Sequence, residues 1–118
     1  MKKKILNSWP KFSEKEISLV SEVLKSSNVN YWNGEHCSLF EKEYSTYLSV
    51  KHSICLANGS LAIELALRGL NIKNGDQVIV PSRTYVATAT SVINIGATPI
   101  FADIEKDSGN IDPESIRK

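Results

Sequence analysis

The chain is short of every feature that would mark it for a membrane, a nucleic acid or an oxidising compartment. It has 118 residues and only two cysteines, Cys37 and Cys55. They stand far apart and outside any C-x-x-C spacing, so the sequence points to neither a metal site nor redox chemistry. Cys55 falls in an apolar run, the setting of a small buried hydrophobe. No apolar run approaches the length of a membrane span. The first residues lack the apolar core of a signal peptide. Reduced thiols without a leader lead to the expectation of a cytoplasmic protein. Charge of one sign is also missing: the formal net charge is +1. With no basic stripe, nucleic acid has no electrostatic footprint to bind. The one charge run, Lys2-Lys3-Lys4, reads as a solvated tail. Repeats, low-complexity tracts and linkers are absent. At 42% hydrophobic, the chain is one small domain or a piece of a larger one.

What is there is a clear order of elements. Ser13 followed by Glu16 is a capping box. Ile17, Val20, Val23 and Leu24 then recur at helical spacing, which predicts an amphipathic helix over residues 14–26. "NVNYWNGEHC" has no period and is read as loop. Ser38 and Glu41 form a second capping box, and Phe40, Tyr44, Tyr47 and Leu48 carry its apolar stripe to about residue 49. From there the pattern changes. Ser53 to Ala57 is short, apolar and bounded by turn residues, as in a buried strand. Ser60 to Leu70 is a helix apolar nearly all round, with Glu64 and Arg68 as its polar i,i+4 pair. "NIKNGD" is a loop, and "QVIV" a second strand stopped by Pro81. Tyr85, Val86, Ala89, Val92 and Ile93 share a helical face, with Gly96 where a C-cap belongs. That helix is rich in β-branched residues and needs packing to support it. "PIFAD" is a third strand.

Strand-helix-strand-helix-strand with short loops predicts an α/β fold with a parallel sheet and flanking helices. The expected division is a helical segment over 1–50 and the start of an α/β domain over 51–118. Near the end, Asp112 is an N-cap with Pro113 at the first helical position and Glu114 behind it. A helix announced so late is too short to cover the third strand before Lys118, so the chain is expected to be the first part of a longer protein.

The hinge Asn58-Gly59-Ser60 is the most informative stretch. In open α/β sheets ligands bind at the carboxyl ends of strands. The hinge would stand there, where the first amides of a helix lack internal partners and point outward. The macrodipole adds partial positive charge, Gly59 leaves no Cβ in the way, and Ser60 offers a hydroxyl. Together these suit a phosphate. A simple capped turn accounts for the same three residues, and the spacing leaves both readings open. The match to an N-glycosylation sequon is read as accidental. Tyr85 would stand at the same edge, where a ring could stack on a flat phosphorylated cofactor or pack in the core. Arg83 could pair with a phosphate or face water.

The run "LANGSLAIELALRGLNIKNGDQVIVPSRTYVATATSVINIGATPIFADIEKDSGNIDPE" closely resembles the DegT/DnrJ/EryC1/StrS family of sugar aminotransferases. Its matching parts are the Asn-Gly-Ser hinge, the G-D-x-V-I-V-P-S strand, the T-Y-V-A-T helix start, G-A-T-P-x-F-x-D and N-I-D-P. Five motifs in order make a specific signal. The resemblance implies the large domain of an aspartate-aminotransferase-like (fold type I) architecture, of which this would be the N-terminal part, and the cofactor pyridoxal 5'-phosphate. It also implies that Gly59 and Ser60 hold the phosphate and that Tyr85 stacks on the pyridine ring. Leu61 stands where alanine is commoner and is expected to turn into the sheet. "NVNYWNG" matches a region near the substrate in the family, with no role carried onto Tyr31, Trp32 or Asn33. The implied reaction transfers an amino group, usually from glutamate, to a keto group on a nucleotide-linked sugar, in a dimer whose sites draw on both subunits.

No catalytic residue is expected within the chain. The resemblance places the Schiff-base lysine and the pyridine-nitrogen aspartate beyond residue 118. Lys51 and Lys73 precede their strands and lie at the wrong edge, and Lys106 sits in a solvated loop. Asp103 reads better as a turn acceptor. These 118 residues alone are therefore expected not to catalyse transamination. Two alternatives stay open: a sugar 3-dehydrase, which in this family carries histidine in place of the lysine, and a non-catalytic phosphate-binding or assembly fragment.

Overall fold

The computed structural model describes residues 10–117; the Lys2-Lys3-Lys4 run lies outside the described residues. The chain divides into two compact units, Met1–Cys55 and Leu56–Lys118.

The first unit carries two helices. Helix α1, Glu14–Ser26, begins as its capping box predicts: Ser13 accepts from the Glu16 amide, and the Glu16 carboxylate accepts from the Ser13 amide at 2.6 Å. The Ser13 hydroxyl also donates to that carboxylate, and the hydroxyl and then the amide draw the Glu16 carboxyl below its usual range. The helix ends on Ser27 in the left-handed region. Helix α2, His36–Leu48, corrects the second capping box. Its N-cap is Glu35, with no side-chain cap bond. The Ser38 hydroxyl, already inside the helix, donates to the Glu35 carbonyl instead. Glu41 is thereby free for longer-range work, accepting from the Cys55 amide at 2.7 Å and lying 3.3 Å from the Tyr31 hydroxyl. The predicted apolar stripe of α2 is exposed to solvent, and Phe40, Tyr44 and Tyr47 stack on one another along it, with centroids 5.5 and 6.4 Å apart.

The expected strand over 53–57 is not formed. Ile54 is 69% exposed, and the segment pairs with no strand among the described residues. A strand exists only through a ladder partner. Here the nearest polar partner is the side chain and carbonyl of Glu41, which take the Cys55 amide and the Ser53 hydroxyl.

The second unit holds helix α3, Gly59–Gly69, strand β1, Gln77–Pro81, helix α4, Ala87–Asn94, strand β2, Thr98–Ala102, and the short helix α5, Pro113–Ile116. β1 and β2 pair in parallel, Gln77 against Thr98 through Pro81 against Ala102. The β1-α4-β2 crossover is thus the one complete unit of the predicted series. α4 packs on both strands, and α3 packs on α4. The core is small: Val80, Val92, Ile95 and Ala97, with Leu67, Ile72, Val78 and Ala89 against it. The predicted face of α4 needs correction. Its helix starts after Val86, and Ala87, Ser91 and Val92 are the buried positions. Tyr85, Val86 and Ile93 are exposed. Gly96 follows the C-cap at φ +87°, the conformation that stops the helix. Asp112 caps α5 through the Glu114 amide, with Pro113 at its first position, as the sequence predicts.

Candidate functional site

The hinge folds as a helix start of unusual economy. Asn58 is extended and is the N-cap of α3; its Oδ1 accepts from the Leu61 amide at 3.0 Å. Its carbonyl accepts from the Ala62 amide at 3.2 Å. The Ala62 bond is the first regular one of the helix, so of the orphan donors of the first turn the Asn58 side chain satisfies one, the Leu61 amide. The amides of Gly59 and Ser60 find no acceptor among the described residues. A Cβ built on Gly59 would meet no atom within 4 Å. The Cβ side of Gly59 is thus open, and the Ser60 hydroxyl belongs to the same turn as the two unpaired amides. This arrangement fits an anionic group: the donors are present, aligned by the helix, and without an acceptor among the described residues.

Ser60 is held from behind. The Ser91 hydroxyl, on a residue only 1% exposed, donates to the Ser60 carbonyl at 3.2 Å. Asn94 Nδ2 donates to Glu64 Oε1 at 2.7 Å one turn further on. These two bonds pin the first turns of α3 against α4. The sequence reading passed over Ser91. Its signal was a polar residue set among the β-branched ones of α4, four positions after Ala87, hence on the same face.

Tyr85 stands after the carboxyl end of β1, in the turn that opens α4, and is 76% exposed. Its backbone is fixed: the carbonyl accepts from the Thr88 amide at 2.9 Å, and the hydroxyls of Thr84 and Thr88 are 2.8 Å apart. A large ring left in water by a well-bonded turn is available to a planar ligand. Arg83 is also exposed, and a side chain at Gly109 would come within 3.7 Å of its Nη1. Asp103 is a turn acceptor, its Oδ1 bonded to the Ile104 amide at 2.9 Å. Lys106 lies in an exposed turn. Leu61 does not turn inward and is 45% exposed.

Comparison with known proteins decides the family. The model of the DegT/DnrJ/EryC1/StrS aminotransferase family matches residues 10–118. The chain belongs to that family. It is 40% identical over 85 residues to the GDP-perosamine synthase of Vibrio cholerae, covering 72% of this chain and 23% of that protein. Its fold superposes on the aminotransferase of Psychrobacter cryohalolentis with a TM-score of 0.88 at 49% identity, over 92% of this chain and 28% of that one. Spr1654 of Streptococcus pneumoniae, with structures of its PLP and PMP forms, matches with a TM-score of 0.80 at 33% identity, over 91% of this chain and 27% and 26% of those chains. The mixed α/β fold with its parallel pair and flanking helices is therefore that of aminotransferases of this family over part of their length. The chain spans about a quarter of the length of the relatives it matches. Among the described residues, no helix is long and apolar enough to cross a membrane.

Proposed function

We propose that the chain is the opening portion of a pyridoxal-phosphate-dependent aminotransferase acting on a nucleotide-linked keto-sugar, with glutamate as amino donor. The supporting observation is the pair of unpaired amides at Gly59 and Ser60, with open space at the Gly59 Cβ position, in a chain of a sugar-aminotransferase family. The nucleotide-sugar class is supported by the likeness to a GDP-perosamine synthase.

In this reading Gly59 and Ser60 hold the cofactor phosphate. Each amide donates one hydrogen bond to an anionic oxygen, and such charge-assisted bonds are worth about 1.5–3 kcal/mol each. The dipole of α3 adds roughly 0.3–1 kcal/mol. Ser91 positions rather than touches: its bond to the Ser60 carbonyl sets the direction of the first-turn amides. Tyr85 would stack on the pyridine ring, worth about 0.5–1.5 kcal/mol beyond the area buried. When bound, the cofactor supplies the electron sink for amino transfer. The lysine and the pyridine aspartate are proposed to come from beyond residue 118. Residues 51–118 then begin the cofactor-binding domain of a cytoplasmic homodimer.

The test uses the intact protein. Ser60→Ala and Tyr85→Ala are expected to weaken retention of pyridoxal phosphate through gel filtration. Wild type is expected to convert a nucleotide keto-sugar and glutamate into an amino sugar and the keto acid of glutamate. Full cofactor retention in both variants would remove the proposed site, and no turnover with any nucleotide keto-sugar would remove the proposed reaction.

A further inference from the structure

The spacing of the two cysteines hides a contact that the first unit creates. Cys37 lies in the first turn of α2, eighteen positions before Cys55. Glu41 draws the later segment onto the helix: its carbonyl accepts from the Ser53 hydroxyl and its Oε1 from the Cys55 amide at 2.7 Å. With the backbone so held, Cys55 Sγ comes to 3.7 Å from the carbonyl oxygen of Cys37. The Cys55 sulfur therefore lies against the residue that carries the other thiol, the proximity from which a disulfide can form once the side chains reorient. Both cysteines are free and half-buried. Neither belongs to the proposed cofactor site.

We propose that Cys37 and Cys55 form an intrachain disulfide when the protein meets a small disulfide oxidant such as oxidised glutathione. One protein thiolate attacks the S–S bond of the oxidant, forming a mixed disulfide and releasing one glutathione thiol. The second protein thiolate then attacks the protein sulfur of that mixed disulfide. The S–S bond between the cysteines forms, and the other glutathione leaves and takes up a proton. The protein loses two electrons and two protons, and the oxidant gains them. The new bond ties the first turn of α2 to residue 55, reinforcing covalently what Glu41 holds by hydrogen bonds. Absent an oxidant the pair rests as thiols: desolvation first, then the Glu41 charge and the neighbouring Cys37, push the Cys55 thiol above its usual range.

Peptide mapping tests this on the intact protein. The folded protein is incubated with oxidised glutathione, its remaining thiols are alkylated, and it is digested with trypsin without reduction. Cleavage after Lys25, Lys42, Lys51 and Arg68 puts the cysteines on separate peptides, 26–42 and 52–68. The expected product is one species joining both peptides, which reduction splits in two. Its yield is expected to exceed severalfold that from protein oxidised in urea, where only chance encounter joins the thiols. Glu41→Ala is expected to lower that excess, and Cys37→Ser to leave Cys55 alkylated or singly glutathionylated. The proposal is overturned if folded wild type gives alkylated or separately glutathionylated peptides, or no more linked species than the urea sample.

Discussion

Replacing Gly59 with alanine separates the two readings of the hinge, because fold and ligand respond with opposite signs. Gly59 is the first residue of α3 and its φ is not left-handed. A Cβ there meets no protein atom within 4 Å. For the fold alone, alanine therefore reduces the freedom of the unfolded chain without strain, stabilising by about 0.4–1 kcal/mol. At about 2–8 °C per kcal/mol this raises Tm by roughly 1–8 °C. For a bound phosphate the same methyl group occupies the open approach. Loss of one charge-assisted amide bond costs about 1.5–3 kcal/mol, which weakens cofactor affinity roughly 10- to 100-fold. The assay is a pair of measurements on the intact protein: thermal unfolding without cofactor, and titration of the cofactor-free protein with pyridoxal phosphate. A higher Tm with weaker binding supports the phosphate site. A higher Tm with unchanged affinity refutes it and leaves Gly59 as a turn residue only.

Three further outcomes follow from the packing and the caps. Val92 is fully buried in the core of the second unit; Val92→Ala is expected to destabilise by about 2 kcal/mol through lost burial and a residual cavity, read by urea unfolding. Gly96 has φ +87° and a Cβ there would lie 3.4 Å from Asn74 Cβ; Gly96→Ala is expected to cost at least about 1 kcal/mol, against no cost if the turn re-forms. Glu16 has a folded pKa below its unfolded value because Ser13 binds its charged form. Its contribution is therefore complete above the ordinary carboxylate pKa and is lost as pH falls through the lower, folded one. Acid titration of helicity is expected to show α1 fraying in that window, with Ser13→Ala weakening the pH dependence of its first turn because only the backbone amide of residue 13 then holds the carboxylate; an unchanged profile in that variant would contradict this.

Local signals were the ones legible in the sequence. Ser13 with Glu16, Asp112 with Pro113, and Gly96 mark ends that the structure confirms, because capping involves residues within a turn of one another. Non-local competition accounts for the failures. Ser38 and Glu41 have capping-box spacing, yet Glu41 is engaged by Cys55 and Tyr31, both distant in sequence. Ser53 to Ala57 has a strand's composition, but a strand also requires a ladder partner, and composition does not say where one comes from. The face of α4 was misplaced for a related reason: Tyr85 and Val86 fit a helical period, but the helix begins only at Ala87, leaving both in the preceding turn. The helix start at Asn58, Gly59 and Ser60 could be read directly, since a cap and its first turn are local. Ser91 could not, since its role depends on α3 lying against α4.

The central claim is that the unpaired amides of Gly59 and Ser60 receive an anionic phosphate, and amide NMR on the ¹⁵N-labelled intact protein tests it most directly. The account predicts that pyridoxal phosphate shifts the Gly59 and Ser60 resonances downfield and slows their exchange, while pyridoxal without its phosphate does neither. If both resonances stay unmoved by saturating pyridoxal phosphate while the cofactor binds elsewhere, the assignment of this hinge is wrong.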